Sequence, residues 1–157
     1  MSLESNRNQV SVDRVILAPP EAIFDLLADP DRHAEIDGGG TVQKSRSGSR
    51  RLKLGDTFGM DMKLGVAYST RNVVVEFEEN RRIAWQTLAA APMDKFVTGR
   101  IWRYDLQPVD GGTRVTETWD ISTEALLSRP LVRLAMAGKT RENITRTLER
   151  IAEIVTA

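Results

Sequence analysis

The chain contains no cysteine, a single histidine and no excess of either charge. Each shortage closes off chemistry. Without cysteine there can be no disulfide, no thiolate metal ligand and no cysteine nucleophile. With one histidine, His33, any Ser-His-Asp triad would have to use that residue, and a metal centre would have to be built mainly from carboxylates. Neither G-x-S-x-G nor HExxH occurs. Lys plus Arg and Asp plus Glu number 22 each, which argues against a nucleic-acid surface, since such surfaces rest on a basic excess. No apolar run approaches the ~18 residues that cross a bilayer. Residues 1–10, MSLESNRNQV, are polar and lack the apolar core of a signal peptide. These features lead us to expect a cytoplasmic protein with no cofactor, no metal, no nucleic-acid partner and no membrane insertion.

What is present suits one globular domain. The chain has 157 residues, 41% hydrophobic and 28% charged, enough to bury a core; we expect a single domain over 1–157 with an ordered core of about 10–155. Residues 10–17 are β-branched and strand-like, and Pro19-Pro20 stop them at the first turn of a helix. In EAIFDLLADP, Ile23, Phe24, Leu26 and Leu27 form one helical stripe. A second short helix, 31–36, runs into Gly38-Gly39-Gly40. A phosphate cradle needs a strand leading in and a helix leading out. Here that order is reversed, so the glycines read as a helix C-cap and a flexible corner. His33 is expected on the surface or at a cavity rim. Asp29, Asp31, Glu35 and Asp37 read as solvated charges at helix ends rather than as cation ligands.

From residue 41 the apolar period changes to two. Candidate strands are 41–47, 56–64, 66–79, 82–88, 99–109 and 113–122, separated by turn signals at Leu64-Gly65, Glu79-Asn80 and Asp110-Gly111. One long helix, 129–155, closes the chain. The order predicts an α+β fold with an antiparallel sheet packed on the C-terminal helix.

The last hairpin fixes a register. Asp-Gly is a strong two-residue turn, and centring it pairs Val109 with Gly112, Leu106 with Val115, Tyr104 with Glu117 and Trp102 with Trp119, with the last six on one face. The opposite face, Arg103, Asp105, Arg114, Thr116, Thr118 and Asp120, reads as the water side. In the preceding hairpin, a three-residue turn at 79–81 sets Val75 beside Trp85 and Phe77 beside Ile83. All three tryptophans then share the concave face.

The segments DRHAEIDGGGTV, NRRIAWQT and GRIWRYDLQPVDGGTRVTETWD resemble the polyketide cyclase/dehydrase group of the START-like (SRPBCC) superfamily, and the resemblance runs from Val10 to Val155. It implies the helix-grip fold: a curved seven-stranded antiparallel sheet wrapped around the long C-terminal helix, with a cavity between them for a hydrophobic or aromatic small molecule such as a polyketide or lipid. The superfamily has no shared catalytic motif to carry over.

Glu117 stands out because its neighbours Val115 and Trp119 can only point inward. A carboxylate on an apolar face must be paired, hydrogen-bonded or protonated. Tyr104 sits opposite as a donor. The pair reads either as a catalytic acid/base beside a substrate carbonyl or as a buried pair that orders the sheet. Arg100 shares the inward parity of Trp102. Arg71 faces in if its strand is regular; a bulge would turn in Tyr68, Thr70 and Asn72 instead. Phe58, Met60, Met62, Trp85, Trp102 and Trp119 are the apolar lining, or simply core. Across from them, Leu134, Ala135 and Gly138 are the expected helix wall, because small residues there leave space; Ile144, Leu148, Ile151 and Val155 read as ordinary packing. The apolar loop 89–97 flanks the entrance. The readings that remain are a ligand-binding domain with cyclase/dehydrase-like chemistry, a non-catalytic carrier or sensor of lipids or aromatic metabolites, and a protein-interaction module with a vestigial cavity, as a monomer or homodimer.

Overall fold

The computed structural model describes residues 8–46 and 49–157. The polar residues 1–7 and the predicted strand end at Ser47 lie outside the described residues. In chain order the elements are β1 (Gln9–Ile16), α1 (Pro20–Leu27), a 3-10 turn (Pro30–Arg32), α2 (His33–Ile36), β2 (Val42–Ser45), β3 (Thr57–Leu64), β4 (Val66–Glu78), β5 (Arg82–Ala89), β6 (Thr98–Val109), β7 (Gly112–Asp120) and α3 (Arg129–Val155). The strands form one antiparallel sheet in the order β1-β7-β6-β5-β4-β3-β2. It curls into a half-barrel around α3, the helix-grip architecture.

Local chemistry accounts for the entry into the fold. Pro19 is extended and Pro20 opens α1, whose Ile23, Phe24, Leu26 and Leu27 are all but fully buried. Each such side chain contributes about 1.5–3 kcal/mol of transfer free energy. The predicted helix 31–36 is split. Asp29 accepts a hydrogen bond from the Asp31 backbone N–H (3.1 Å) and caps the 3-10 turn, and α2 follows as a separate turn.

The glycine corner differs from expectation. Asp37, extended at φ −65° and ψ 107°, ends α2, so the glycines do not cap it. Gly38 is instead wedged against α3. A Cβ there would lie 2.3 Å from the Asn143 carbonyl oxygen and 2.6 Å from the Thr147 nitrogen. Its N–H donates to Thr147 Oγ1 at 2.8 Å. The Asp37 carboxylate accepts from the Gly39 and Val42 N–H groups (3.1 and 2.8 Å), and Arg150 donates to the Asp37 carbonyl (2.8 Å). The corner is therefore a clasp on the long helix, and Gly40, at φ +70°, turns the chain into β2.

The β6–β7 register is the one the turn predicts, residue for residue from Val109↔Gly112 to Trp102↔Trp119. In the β4–β5 hairpin Phe77 pairs with Ile83, but Trp85 pairs with Val74 rather than Val75, because a bulge between Val74 and Glu76 absorbs one residue. Side-chain parity flips there. Thr70, Asn72 and Val74 are buried while Arg71 is exposed. The outer face of β7 is also drier than its pattern implies. Thr118 and Asp120 are buried: the Ser11 and Thr118 hydroxyls hydrogen-bond at 2.8 Å, and Asp120 is answered by Gln9 (3.2 Å) and Arg103 (3.6 Å). β1 pairs along this edge and covers it.

Candidate functional site

Between the concave face and α3 lies a cavity of about 180 Å³. β3 contributes Phe58, Met60 and Met62; β5 gives Trp85; β6 gives Arg100, Trp102 and Tyr104; β7 gives Glu117 and Trp119. Alternation places these side chains on one face. The loop at 89–97 supplies Met93, Phe96 and Val97, and the bulge in β4 delivers Tyr68, Thr70 and Asn72. An apolar cavity of roughly 150 Å³ holds one benzene, so the space matches a molecule of one or two rings.

The helix wall is not the expected one. Leu134 is 88% exposed, and Ala135 and Gly138 also face solvent. Met136, Lys139, Thr140, Asn143, Ile144 and Thr147 face the cavity instead. The signal was available: stepping back by four from Leu148 and Ile144 gives Thr140, Met136 and Val132, the true inward stripe. Small size does not decide which way a helix turns; the row of residues already packed at its far end does. Arg71 lies on the outer face and Tyr68, Thr70 and Asn72 replace it, for the parity reason above.

Three sets of polar groups stand out on the sheet side of the wall. In the first, Arg100 and Glu124 form a buried ion pair, Nε to Oε1 at 2.7 Å, with side-chain exposures of 7% and 0%. Arg100 also donates to the Phe96 carbonyl at 2.7 Å and lies over the rings of Phe96 and Trp119, 5.4 and 5.9 Å from their centroids. The other Glu124 oxygen accepts from the Thr98 N–H (2.6 Å) and hydroxyl. Burial lowers the Arg100 pKa, offset by Glu124, but a guanidinium keeps its proton. In the second set, the Thr87 hydroxyl donates to Asn72 Oδ1 (2.7 Å), and Asn72 Nδ2 donates to the Phe58 carbonyl (3.3 Å) and Thr70 Oγ1 (3.2 Å). Both sets are internally satisfied.

The third set is not. Tyr104 donates its hydroxyl proton to Glu117 Oε1 at 2.5 Å. Burial pushes the Glu117 carboxyl up to about 8, outweighing the Tyr104 hydrogen bond that pulls it down. Burial likewise pushes the Tyr104 phenol well above its ordinary range. At neutral pH both groups are uncharged. Because Oε1 accepts from Tyr104, the carboxyl proton belongs on Oε2. Among the described residues, Glu117 Oε2 and Trp119 Nε1 are the buried side-chain polar atoms without a hydrogen-bond partner. Both are donors, two residues apart on one face of β7.

His33 is buried rather than on the surface, and lines the cavity. Its ring stacks on Trp85 (4.7 Å, 17°) and meets Phe58 edge-on (5.4 Å). Nε2 sits 2.9 Å from the Leu27 carbonyl oxygen, which only accepts. Nε2 therefore carries the proton and Nδ1 keeps its lone pair. Burial lowers the His33 pKa, so the ring is neutral near pH 7. Nothing in the local sequence distinguishes a histidine that the next turn exposes from one that it folds under an indole.

No group of three or more metal-ligating side chains occurs among the described residues, and none of their helices is long and apolar enough to cross a membrane.

A half-barrel closed on one long helix, with an aromatic cavity between them, defines the class, and comparison with known proteins gives the family. The profile described as "Polyketide cyclase / dehydrase and lipid transport" matches residues 7–156, and the chain belongs to that family. It is 29% identical over 156 residues to the uncharacterized protein Rv0088 of Mycobacterium tuberculosis, covering 96% of this chain and 66% of that one. The chain thus spans slightly under two thirds of the length of the curated relatives it matches. Among solved structures it resembles a protein from Arthrobacter aurescens (TM-score 0.75, 15% identity, 99% and 89% of the two chains). It also resembles Ms6760 from Mycobacterium smegmatis (TM-score 0.72, 18% identity, 98% and 93%). At those identities the likeness concerns the fold.

Proposed function

We propose that this protein binds an uncharged apolar molecule of one or two rings that carries a carbonyl oxygen, held in the cavity between sheet and α3. The observation that carries this reading is the pair of unanswered buried donors, Glu117 Oε2 and Trp119 Nε1, in a wall made largely of aromatic and aliphatic side chains. Leaving a donor unpaired in a dry site costs about 1–3 kcal/mol. A carbonyl oxygen has two lone pairs and can answer either donor, while the indole, phenyl and thioether walls take the rings. An anion fits poorly, because the buried guanidinium in the wall, Arg100, is already neutralised by Glu124.

The test is an NMR titration that follows the three indole N–H signals. Acetophenone and 2-acetylnaphthalene are compared with ethylbenzene and 2-ethylnaphthalene, which have similar shape but no acceptor. The ketones should bind at least about tenfold more tightly, as expected for one buried hydrogen bond, and should shift the Trp119 signal downfield. Equal binding by the hydrocarbons would remove the carbonyl from the proposal; no binding by any probe would remove the ligand site.

Acid–base turnover is a second reading, favoured by the protonation states of two groups in the same wall. Glu117 holds a proton to give to a carbonyl oxygen, and His33 Nδ1 has a lone pair to take one from the adjacent carbon. The net result is enolisation with no change in overall charge except on His33, which becomes cationic, and Glu117, which becomes anionic, until the protons return. The check is hydrogen–deuterium exchange at the methyl of bound acetophenone. Glu117→Gln should retain binding and lose the exchange; an unchanged rate would leave binding and transport as the function.

A further inference from the structure

The first half of α3 and the turn before it carry a feature that the cavity does not use. Leu126, Leu127, Leu131 and Leu134 are 71%, 95%, 62% and 88% exposed. Leu127, Leu131 and Leu134 fall at i, i+4 and i+7, and Gly138 extends the same stripe by one more turn, so they stand in one row on the solvent side. Three leucines this exposed in one row, with Leu126 beside them, exceed the scattered apolar residues of an ordinary surface.

The charge around this row has one sign. Between Glu124 and Glu142 the sequence has Arg129, Arg133, Lys139 and Arg141 and no acidic residue. None of the four is in a salt bridge among the described residues. In a chain whose formal net charge is zero, this is a local concentration of cations without carboxylate partners; Arg129 donates to the Glu124 carbonyl at 3.2 Å and Lys139 lines the cavity, which leaves Arg133 and Arg141 to flank the leucines. The 89–97 loop lies alongside: Ser128 Oγ donates to the Lys95 carbonyl at 3.3 Å. In that loop Ala90, Ala91 and Pro92 are exposed, and Lys95 offsets Asp94.

We propose that the leucine row and its flanking cations form a docking surface for the anionic face of a lipid bilayer. A helix that lies in the interfacial plane presents a row of leucines to the acyl boundary and arginine or lysine to the headgroups, with no need to span. A second copy of this chain is a poor occupant. A two-fold contact on this face would bring Arg133 and Arg141 near their own copies, with a single carboxylate, Glu142, between residues 125 and 142 to answer them. The position is also functional. The same helix segment and the same loop line the cavity through Met136, Lys139, Met93 and Phe96, so a docked protein holds its cavity wall at the membrane surface, where apolar molecules partition.

The experiment is co-sedimentation of the 157-residue chain with vesicles of phosphatidylglycerol mixed with phosphatidylcholine, against vesicles of phosphatidylcholine alone. Binding should require the anionic lipid and weaken with salt. The variant L131E/L134E changes exposed positions, so it should keep the wild-type Tm and lose vesicle binding; R133Q/R141Q should weaken binding by at least about tenfold. Absence of wild-type binding to anionic vesicles would overturn the proposal, and so would unchanged binding by L131E/L134E. A wild-type dimer that L131E/L134E makes monomeric, without vesicle binding, would assign the face to a second copy instead. The ketone titration does not read this surface, so either proposal can fail without the other.

Discussion

Glu117 and Glu124 are equally buried, at 2% exposure each, and both stand in or beside the wall of the same cavity. Glu124 is surrounded by donors. Arg100, the Thr98 N–H and the Thr98 hydroxyl occupy both of its oxygens, with a guanidinium on one of them. Glu117 has one donor, Tyr104, and no cation. Burial wins there and the group takes a proton. The difference shows what sets the state of a buried acid: not depth, which is the same, but the number and charge of the donors that come with it. The saturated pair is fixed architecture, and the unsaturated one has capacity left for a ligand.

The largest expected effect comes from breaking the saturated pair. Glu124→Ala leaves Arg100 as a buried, uncompensated cation and should cost about 3–5 kcal/mol in urea denaturation. The opposite sign is expected at the other acid. The Glu117 carboxyl ordinarily titrates at 4.5 and is held up to about 8 in the fold. Between those values the unfolded chain has already lost this proton while the folded chain keeps it, so native stability falls as pH rises, by about 1.4 kcal/mol per unit. The loss levels off above pH 8. Glu117→Gln cannot ionise and should remove that slope. The variant should be within about 1 kcal/mol of wild type at pH 5 and more stable by roughly 2–4 kcal/mol at pH 9. A parallel pH dependence in the two proteins would show that Glu117 is not the titrating group.

Arg100→Lys sharpens the comparison further. An ammonium keeps the charge but cannot span Glu124 and the Phe96 carbonyl with one planar fork, so a loss of about 1–3 kcal/mol is expected, less than for Glu124→Ala. The smallest effect belongs to Tyr104→Phe. It removes the single donor to an acid that is already neutral and should cost about 1 kcal/mol at pH 6. It should also raise the pH at which Glu117 ionises, read from the pH dependence of stability. An equal cost for Tyr104→Phe and Glu124→Ala would erase the distinction between the two acids.

Much of this site was legible in advance because it is built from local rules. One Asp-Gly turn and strict alternation place Trp102, Tyr104, Glu117 and Trp119 on a common face, and no other part of the chain is needed to say so. The Tyr104–Glu117 contact follows directly from that register. The misplacements have a different origin. Leu134, Ala135 and Gly138 were expected inside because they border space; the helix turns on the packing of Ile144, Leu148 and Ile151, which sets their row and leaves Leu134 in solvent. Arg71 depended on a bulge at Val75, which changes the facing of every earlier residue of β4 without any local signature.

The sequence by itself determined the order of elements, an antiparallel sheet packed on a C-terminal helix, the β6–β7 register and the presence of an acid on an apolar face. These rest on turn chemistry, alternation and the cost of exposing valine and tryptophan, all of which act within a few residues. Only the tertiary structure decided which face of α3 closes the cavity, that Gly38 touches the backbone of that helix, and that His33 stacks on Trp85. Each of these depends on a partner far along the chain, and a rotation about a helix axis or a one-residue bulge leaves the local pattern unchanged while reversing what points inward.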